Sequence, residues 1–125
     1  MRLLLDTHIL LWSVEGDEHL SAHARALIQS AEKVYVSSVS IWEVTIKAAI
    51  GKLQIDASDL ARQLLLDGFA QLPITHAHAV VVQSLPLHHR DPFDRLLIAQ
   101  AMTEGMRLLT ADAHLAAYSD LVVVI

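Results

Sequence analysis

The sequence predicts an α/β fold in which a parallel sheet is covered by helices on both faces. Short apolar runs, too brief to be helices, alternate along the chain with segments of helical character, which is the pattern of strand–helix units. The 125 residues are 54% hydrophobic and 18% charged, enough to bury a sizeable core. With no cysteine, neither disulfides nor thiolate metal sites hold it together.

Arg2 to Leu5 is an apolar run suited to a buried strand. Asp6 and Thr7 offer capping groups for a helix carrying Ile9, Leu10, Leu11, Trp12 and Val14, stopped at Gly16. Ser21 to Ala31 reads as an alanine-rich second helix, and the β-branched and aromatic Val34 to Val36 as a second strand. Ser40 is a candidate cap for a helix holding Ile41, Val44, Ile46, Ala49 and Ile50, with Gly51 as the stop. Ser58 to Phe69 has an amphipathic pattern, with Asp56 and Ser58 as caps. Gln71 to Ile74 reads as a strand, Ala77 to Gln83 as a helix and Pro86 to Arg90 as a loop carrying His88 and His89. Asp91-Pro92 opens the clearest helix, with proline at its first position and Gly105 at its end. Arg107 to Leu109 is then a strand, Asp112 to Tyr118 a short helix and Leu121 to Ile125 a last strand.

No repeat, linker or low-complexity segment interrupts this order, so residues 1–125 are expected to form a single domain. Charged residues, histidine or glycine break every apolar run short of a membrane span. Asp6 likewise interrupts the N-terminal run before a signal-peptide core forms. The expectation is a soluble cytoplasmic protein. Its formal net charge of −5 at first argues against a nucleic-acid partner. That sign changes meaning if several carboxylates surround divalent cations, because phosphate binding then depends on metal.

Four acids stand out by placement. Asp6 directly follows the first strand, and Asp112 follows Leu108-Leu109 with Thr110 and Ala111 between. Glu43 and Asp94 sit in the first turns of helices, three residues after Ser40 and Asp91. Ligands of open parallel sheets bind at the carboxyl ends of strands, where helix N-termini also point, so the four converge on one edge. Each has an ordinary alternative: Asp6 and Asp112 suit helix caps, Ser40 to Glu43 is a capping-box pattern, and Asp94 suits a helix dipole. Together they are the oxygen-rich donor set that Mg²⁺ or Mn²⁺ prefers, as one or two ions. A pair of such ions activates water and stabilises the leaving oxygen in phosphodiester cleavage. Most of the eight histidines read as surface or loop residues, and Trp12 and Trp42 as core. Arg90 and Arg95 flank Asp91 and Asp94, placed either to touch a phosphate or to pair with those acids.

Over essentially its whole length the chain resembles PIN domains, in particular the VapC-type toxins of toxin–antitoxin pairs. The matching pieces, in order, are Leu-Leu-Leu-Asp6-Thr-His, Ser-Ile-Trp-Glu43-Val, His-His-Arg-Asp-Pro-Phe-Asp94-Arg-Leu-Leu-Ile-Ala-Gln-Ala and Leu-Leu-Thr110-Ala-Asp112. The resemblance implies a three-layer α/β/α domain with a central, mostly parallel sheet. It implies that Asp6, Glu43, Asp94 and Asp112 are the catalytic and metal-binding residues, with Thr110 beside them. It further implies an endoribonuclease hydrolysing RNA phosphodiesters, a homodimer, and a VapB-like antitoxin whose tail covers the acidic groove. Asp91 suits a helix cap better than a ligand.

Other readings fit less well. Aspartyl-phosphate phosphatases of the haloacid-dehalogenase type place a second aspartate where His8 stands, and a receiver domain needs a lysine near its end, whereas Lys52 is the last lysine. No P-loop is present. A binding module for RNA or antitoxin, with a metal site but no meaningful turnover, is the alternative from a different class; metal rescue of cleavage discriminates the two.

Overall fold

Leu3, Leu4 and Leu5 are fully buried, because their strand lies mid-sheet with a helical layer on each face. The structure, a computed structural model, describes residues 1–125. Its elements are β1 (Arg2–Leu5), α1 (Thr7–Glu15), α2 (Ala22–Ser30), β2 (Lys33–Ser37), α3 (Ser38–Ala49), α4 (Ala57–Leu66) and β3 (Ala70–Leu72), followed by α5 (His76–Val81), α6 (Pro92–Glu104), β4 (Arg107–Thr110) and β5 (Val122–Val124). The sheet order is β3-β2-β1-β4-β5, and every pairing is parallel. Strand alternation divides the core in two. Leu3, Leu5 and Leu109 face Ile9, Leu10, Ala24, Leu60 and Leu64 on one side. Leu4 and Leu108 face Val39, Leu97, Ile98, Ala101 and Met106 on the other. This is the three-layer arrangement expected from the sequence. No helix is long and apolar enough to cross a membrane.

Caps set most helix limits. Asp6, Ser21, Asp56 and Asp91 each accept a backbone N–H of the helix they precede, and Gly16 and Gly105 close α1 and α6 at φ 64° and 66°, a conformation that favours glycine. Some boundaries differ from the sequence reading. α3 begins at Ser38 and is capped by Ser37, not Ser40. The reason is tertiary: Ser37 Oγ accepts the Val39 N–H at 3.0 Å and donates to Gln100 Oε1 at 2.6 Å, deep between β2 and α6. Ser40 therefore lies inside the first turn, and the Ser40–Glu43 capping box does not form. β3 stops at Leu72 because Pro73 has no N–H to continue the ladder. Gly68 turns at φ 87°, leaving Phe69 outside α4. The expected Ala77–Gln83 helix is α5 followed by a 3₁₀ turn at Val82–Ser84, and the segment after Asp112 is a 3₁₀ turn, Ala113–Ala117.

Of the two tryptophans only Trp12 packs against the core. Trp42 is 55% exposed and meets Phe93 edge-on at 5.1 Å between ring centres, beside an apolar hollow between α3 and α4. Trp12 is half-buried, with His8 on one side and His19 stacked on the other at 5.5 Å. A buried polar chain crosses the other layer instead. Gln100 joins Ser37 to the Pro73 carbonyl, and His78, 1% exposed, reaches Glu104 Oε1 at 3.3 Å. His78 is thus an interior residue, contrary to the surface role expected of most histidines.

Candidate active site

The sheet order reverses at β1, whose successor strands run one way to β3 while β4 and β5 lie on its other side. A crevice at the carboxyl ends of β1 and β4 follows from that reversal. It is an open cleft of about 660 Å³, lined by five carboxylates, three histidines and a single lysine. All four acids singled out from the sequence line it: Asp6 from the end of β1, Glu43 from α3, Asp94 from α6 and Asp112 from beyond β4.

The acids form an inner and an outer pair. Asp6 and Glu43 are nearly inaccessible, 4% and 5% exposed. Asp6 caps α1 through Oδ1, which accepts the Ile9 N–H at 2.9 Å, while Oδ2 accepts the Thr110 hydroxyl. Glu43 accepts the Thr7 hydroxyl at 2.8 Å on one oxygen and Lys47 Nζ at 2.7 Å on the other. Ser40 Oγ stands 3.0 Å from Thr7 Oγ1, so the serine expected to cap α3 supports the residue that holds Glu43. The outer pair is more open. Asp94 Oδ2 lies 2.9 Å from His89 Nε2, and Asp112 Oδ1 accepts the His114 N–H at 2.9 Å with the His114 ring nitrogen at 3.0 Å. Asp91 caps α6 by accepting the Phe93 and Asp94 N–H groups, as its sequence context suggests.

Burial, and to a lesser extent like charge, shows in the titration of these groups. Burial pushes the Asp94 carboxyl up to about 6, and the nearby Asp91 and Asp6 charges add to the rise against the pull of His89. Burial also raises Asp6, opposed by its bonds from Thr110 and Ile9. At Asp112 burial pushes upward too, but the His114 N–H and ring, with the charges of His114 and His89, carry the carboxyl below its ordinary value. Oxygen donors that repel one another in a cleft open to solvent suit a hard divalent cation. His89, Asp94 and Asp112 bring three donor atoms within 4.8 Å of one another. The donor set therefore fits such an ion.

Several residues of this site escaped the sequence reading. Lys47 is four residues after Glu43 on one helix face, a spacing that announces an ion pair. His89 and His114 line the cleft rather than a remote surface, whereas His8, two residues after Asp6, lies there as its position suggests. Arg95 does not bond the cleft acids. Its guanidinium is enclosed by the carbonyls of Val82, Leu85, Pro86 and His89 and by the Tyr118 hydroxyl, at 2.9–3.3 Å. It clamps the 86–90 loop onto α6. Arg95→Ala is expected to cost about 2 kcal/mol, since hydrogen bonds from a charged donor are worth ~1.5–3 kcal/mol and some of the freed carbonyls reach water. Chemical unfolding measures the loss, and a change within error would show that the clamp carries no stability.

Comparisons with known proteins agree with this architecture. The profile of the PIN domain family matches residues 3–121. Ribonuclease VapC22 of Mycobacterium tuberculosis is 31% identical over 115 residues, covering 90% of this chain and 88% of its own. Among solved structures, VapBC2 from Rickettsia felis, bound to a DNA fragment from their promoter, superposes with a TM-score of 0.73 at 13% identity, covering 100% of this chain and 98% of the other. FitAcB from Neisseria gonorrhoeae gives 0.72 at 19% identity over 98% and 96%. A toxin–antitoxin complex from Klebsiella pneumoniae gives 0.68 at 18% over 97% and 95%. At these identities the structural likenesses speak to the fold.

Proposed function

The chain belongs to the PIN domain family, and from that premise we propose that it is a metal-dependent endoribonuclease, the toxin of a toxin–antitoxin pair. The observation that carries the reading is the convergence of Asp6, Glu43, Asp94 and Asp112 on one cleft at the switch point of the sheet. Likeness to a ribonuclease over nine-tenths of the chain supports the choice of substrate. The similarity to toxin–antitoxin complexes supports an antitoxin of the VapB kind as partner; a homodimer working in the cytoplasm completes the proposal.

On this reading Asp6, Glu43, Asp94 and Asp112 hold one or two Mg²⁺ or Mn²⁺ ions. A bound ion supplies positive charge for the phosphate oxygens and for activating the attacking water. The chain's own residues supply the order. Thr110 and the Ile9 N–H fix both oxygens of Asp6, and Thr7 and Lys47 fix both oxygens of Glu43, so these carboxylates are aimed before any substrate arrives. Such preorganisation removes the cost of reorienting dipoles during reaction. Lys47 is the one cationic side chain lining the cleft, and it balances part of its acidity while leaving the outer pair open to an incoming phosphodiester.

The test is incubation of the antitoxin-free protein with total bacterial RNA in Mg²⁺, in Mn²⁺ and in EDTA. Discrete fragments are expected in the metal lanes and none in EDTA. RNA retained without new product ends in any lane would favour the binding module over the enzyme.

A further inference from the structure

We infer that His89 is itself a metal ligand, and that the nitrogen it offers beside Asp94 and Asp112 makes the cleft prefer first-row transition ions such as Mn²⁺ to Mg²⁺. The inference rests on the metal-dependent reading above, and goes beyond it by adding a fifth residue and a selectivity to the all-carboxylate set.

Geometry comes first. Ligands about 2.1 Å from one ion stand about 3.0 Å apart at right angles and about 4.2 Å apart when opposite. His89 Nε2 and Asp94 Oδ2 are 2.9 Å apart, and the triad with Asp112 spans no more than 4.8 Å. The three atoms need to draw together by at most about 2 Å to share an ion. The backbone that carries the imidazole is also held in place without relying on the carboxylates. The His89 N–H donates to Tyr118 Oη at 2.7 Å, and its carbonyl accepts from the Tyr118 hydroxyl at 3.2 Å and from Arg95 at 3.3 Å. Because the backbone is pinned on both sides, the ring is presented from a fixed loop, as a preorganised ligand needs.

The other two cleft histidines lack these features. His114 bonds the same Asp112 oxygen as its own backbone N–H, in a local turn, and its side chain is 83% exposed. His8 bonds no carboxylate and instead lies against Trp12. Chemistry supplies the selectivity. Mg²⁺ keeps water and oxygen ligands, whereas imidazole suits transition ions, whose affinity for nitrogen-containing sites rises from Mn²⁺ along the row.

Pulsed electron paramagnetic resonance of Mn²⁺ bound to the full, antitoxin-free chain tests this without reference to cleavage. A ¹⁴N coupling from a coordinated imidazole is expected in the wild-type protein and in His114→Ala, and is expected to vanish in His89→Ala. Titration should show Mn²⁺ binding weakened by about tenfold or more in His89→Ala, with Mg²⁺ binding little changed. Since the Tyr118 and Arg95 contacts use the backbone of residue 89, this variant keeps the loop, and thermal unfolding verifies that. Mn²⁺ bound without nitrogen coupling would show that oxygen ligands alone hold the ion, and coupling that persists in His89→Ala would assign the nitrogen to another residue; either result overturns the inference. Failure of the wild-type chain to bind Mn²⁺ at all would overturn the metal-dependent reading, and His89 with it.

Discussion

Asp94→Asn is expected to abolish RNA cleavage and, in the same molecule, to make the metal-free protein more stable at neutral pH. The loss follows from removing a charge at the mouth of the cleft, and a fall of at least about 10²–10³-fold is the scale for deleting one preorganised electrostatic contact. The gain follows from linkage. The carboxyl of Asp94 titrates near 6 in the folded chain, against an ordinary value of 3.8, because it is buried and faces Asp91 and Asp6. Below pH 4 it is protonated in folded and unfolded chains alike and costs nothing. Between those values the folded state holds the proton more tightly, so stability drains away as pH rises through about 6. At pH 7.5 the ionised group costs the fold roughly 1–3 kcal/mol, which asparagine avoids. Thermal unfolding in EDTA should place the variant above the wild type at pH 7.5, with the gap closing as pH falls toward 4. A variant less stable at pH 7.5, or a gap indifferent to pH, would contradict this account; surviving cleavage would remove Asp94 from the machinery. A bound cation reverses the balance, since ligation requires the ionised form and its binding weakens below pH 6.

Lys47→Met should expose the opposite dependence on metal. In the ion-free chain Lys47 is the counter-charge of Glu43, a carboxylate almost wholly withdrawn from water. Removing one partner of a buried pair costs ~3–5 kcal/mol, and the half-exposed lysine scales this to about 2 kcal/mol. A divalent ion bound beside Glu43 takes over that compensation, so excess Mg²⁺ or Mn²⁺ should return most of the lost stability to the variant. Urea unfolding with and without metal measures both numbers. A deficit that stays the same in saturating metal would show that no cation reaches Glu43.

The sequence disclosed the strands and the acids because each announces itself locally. Leu3, Leu4 and Leu5 between Arg2 and Asp6 leave room for little but a buried strand, and Asp91 before Pro92 is a helix start whatever surrounds it. Strand ends and the starts of helices sufficed to bring Asp6, Glu43, Asp94 and Asp112 to one edge, although Glu43 lies in the second turn of α3 rather than the first because that helix starts at Ser38. What stayed hidden was decided across long separations. Three serines compete to start α3, and Gln100, 63 residues away, selects Ser37 by bonding it. The partner of Asp94 is a loop histidine whose position depends on Tyr118, 29 residues further on. Arg95 reads equally as a partner of a phosphate or of the neighbouring acids because its true partners are mostly backbone carbonyls, which carry no signature in side-chain letters.

The reversal of strand order at β1 sets a schedule for folding. Asp6 receives the Thr110 hydroxyl across 104 residues of chain, and its own N–H donates to the Leu109 carbonyl at 3.1 Å. Contacts so far apart in sequence carry a large closure entropy and form late. During synthesis β1 and β2 emerge together, but the second flank of β1 stays open until residues 107–110 have left the ribosome. Before then the carboxylates of the two chain halves have no common cleft in which to meet. The cleft is therefore complete only once Thr110 and Asp112 have joined Asp6 at the end of the sheet.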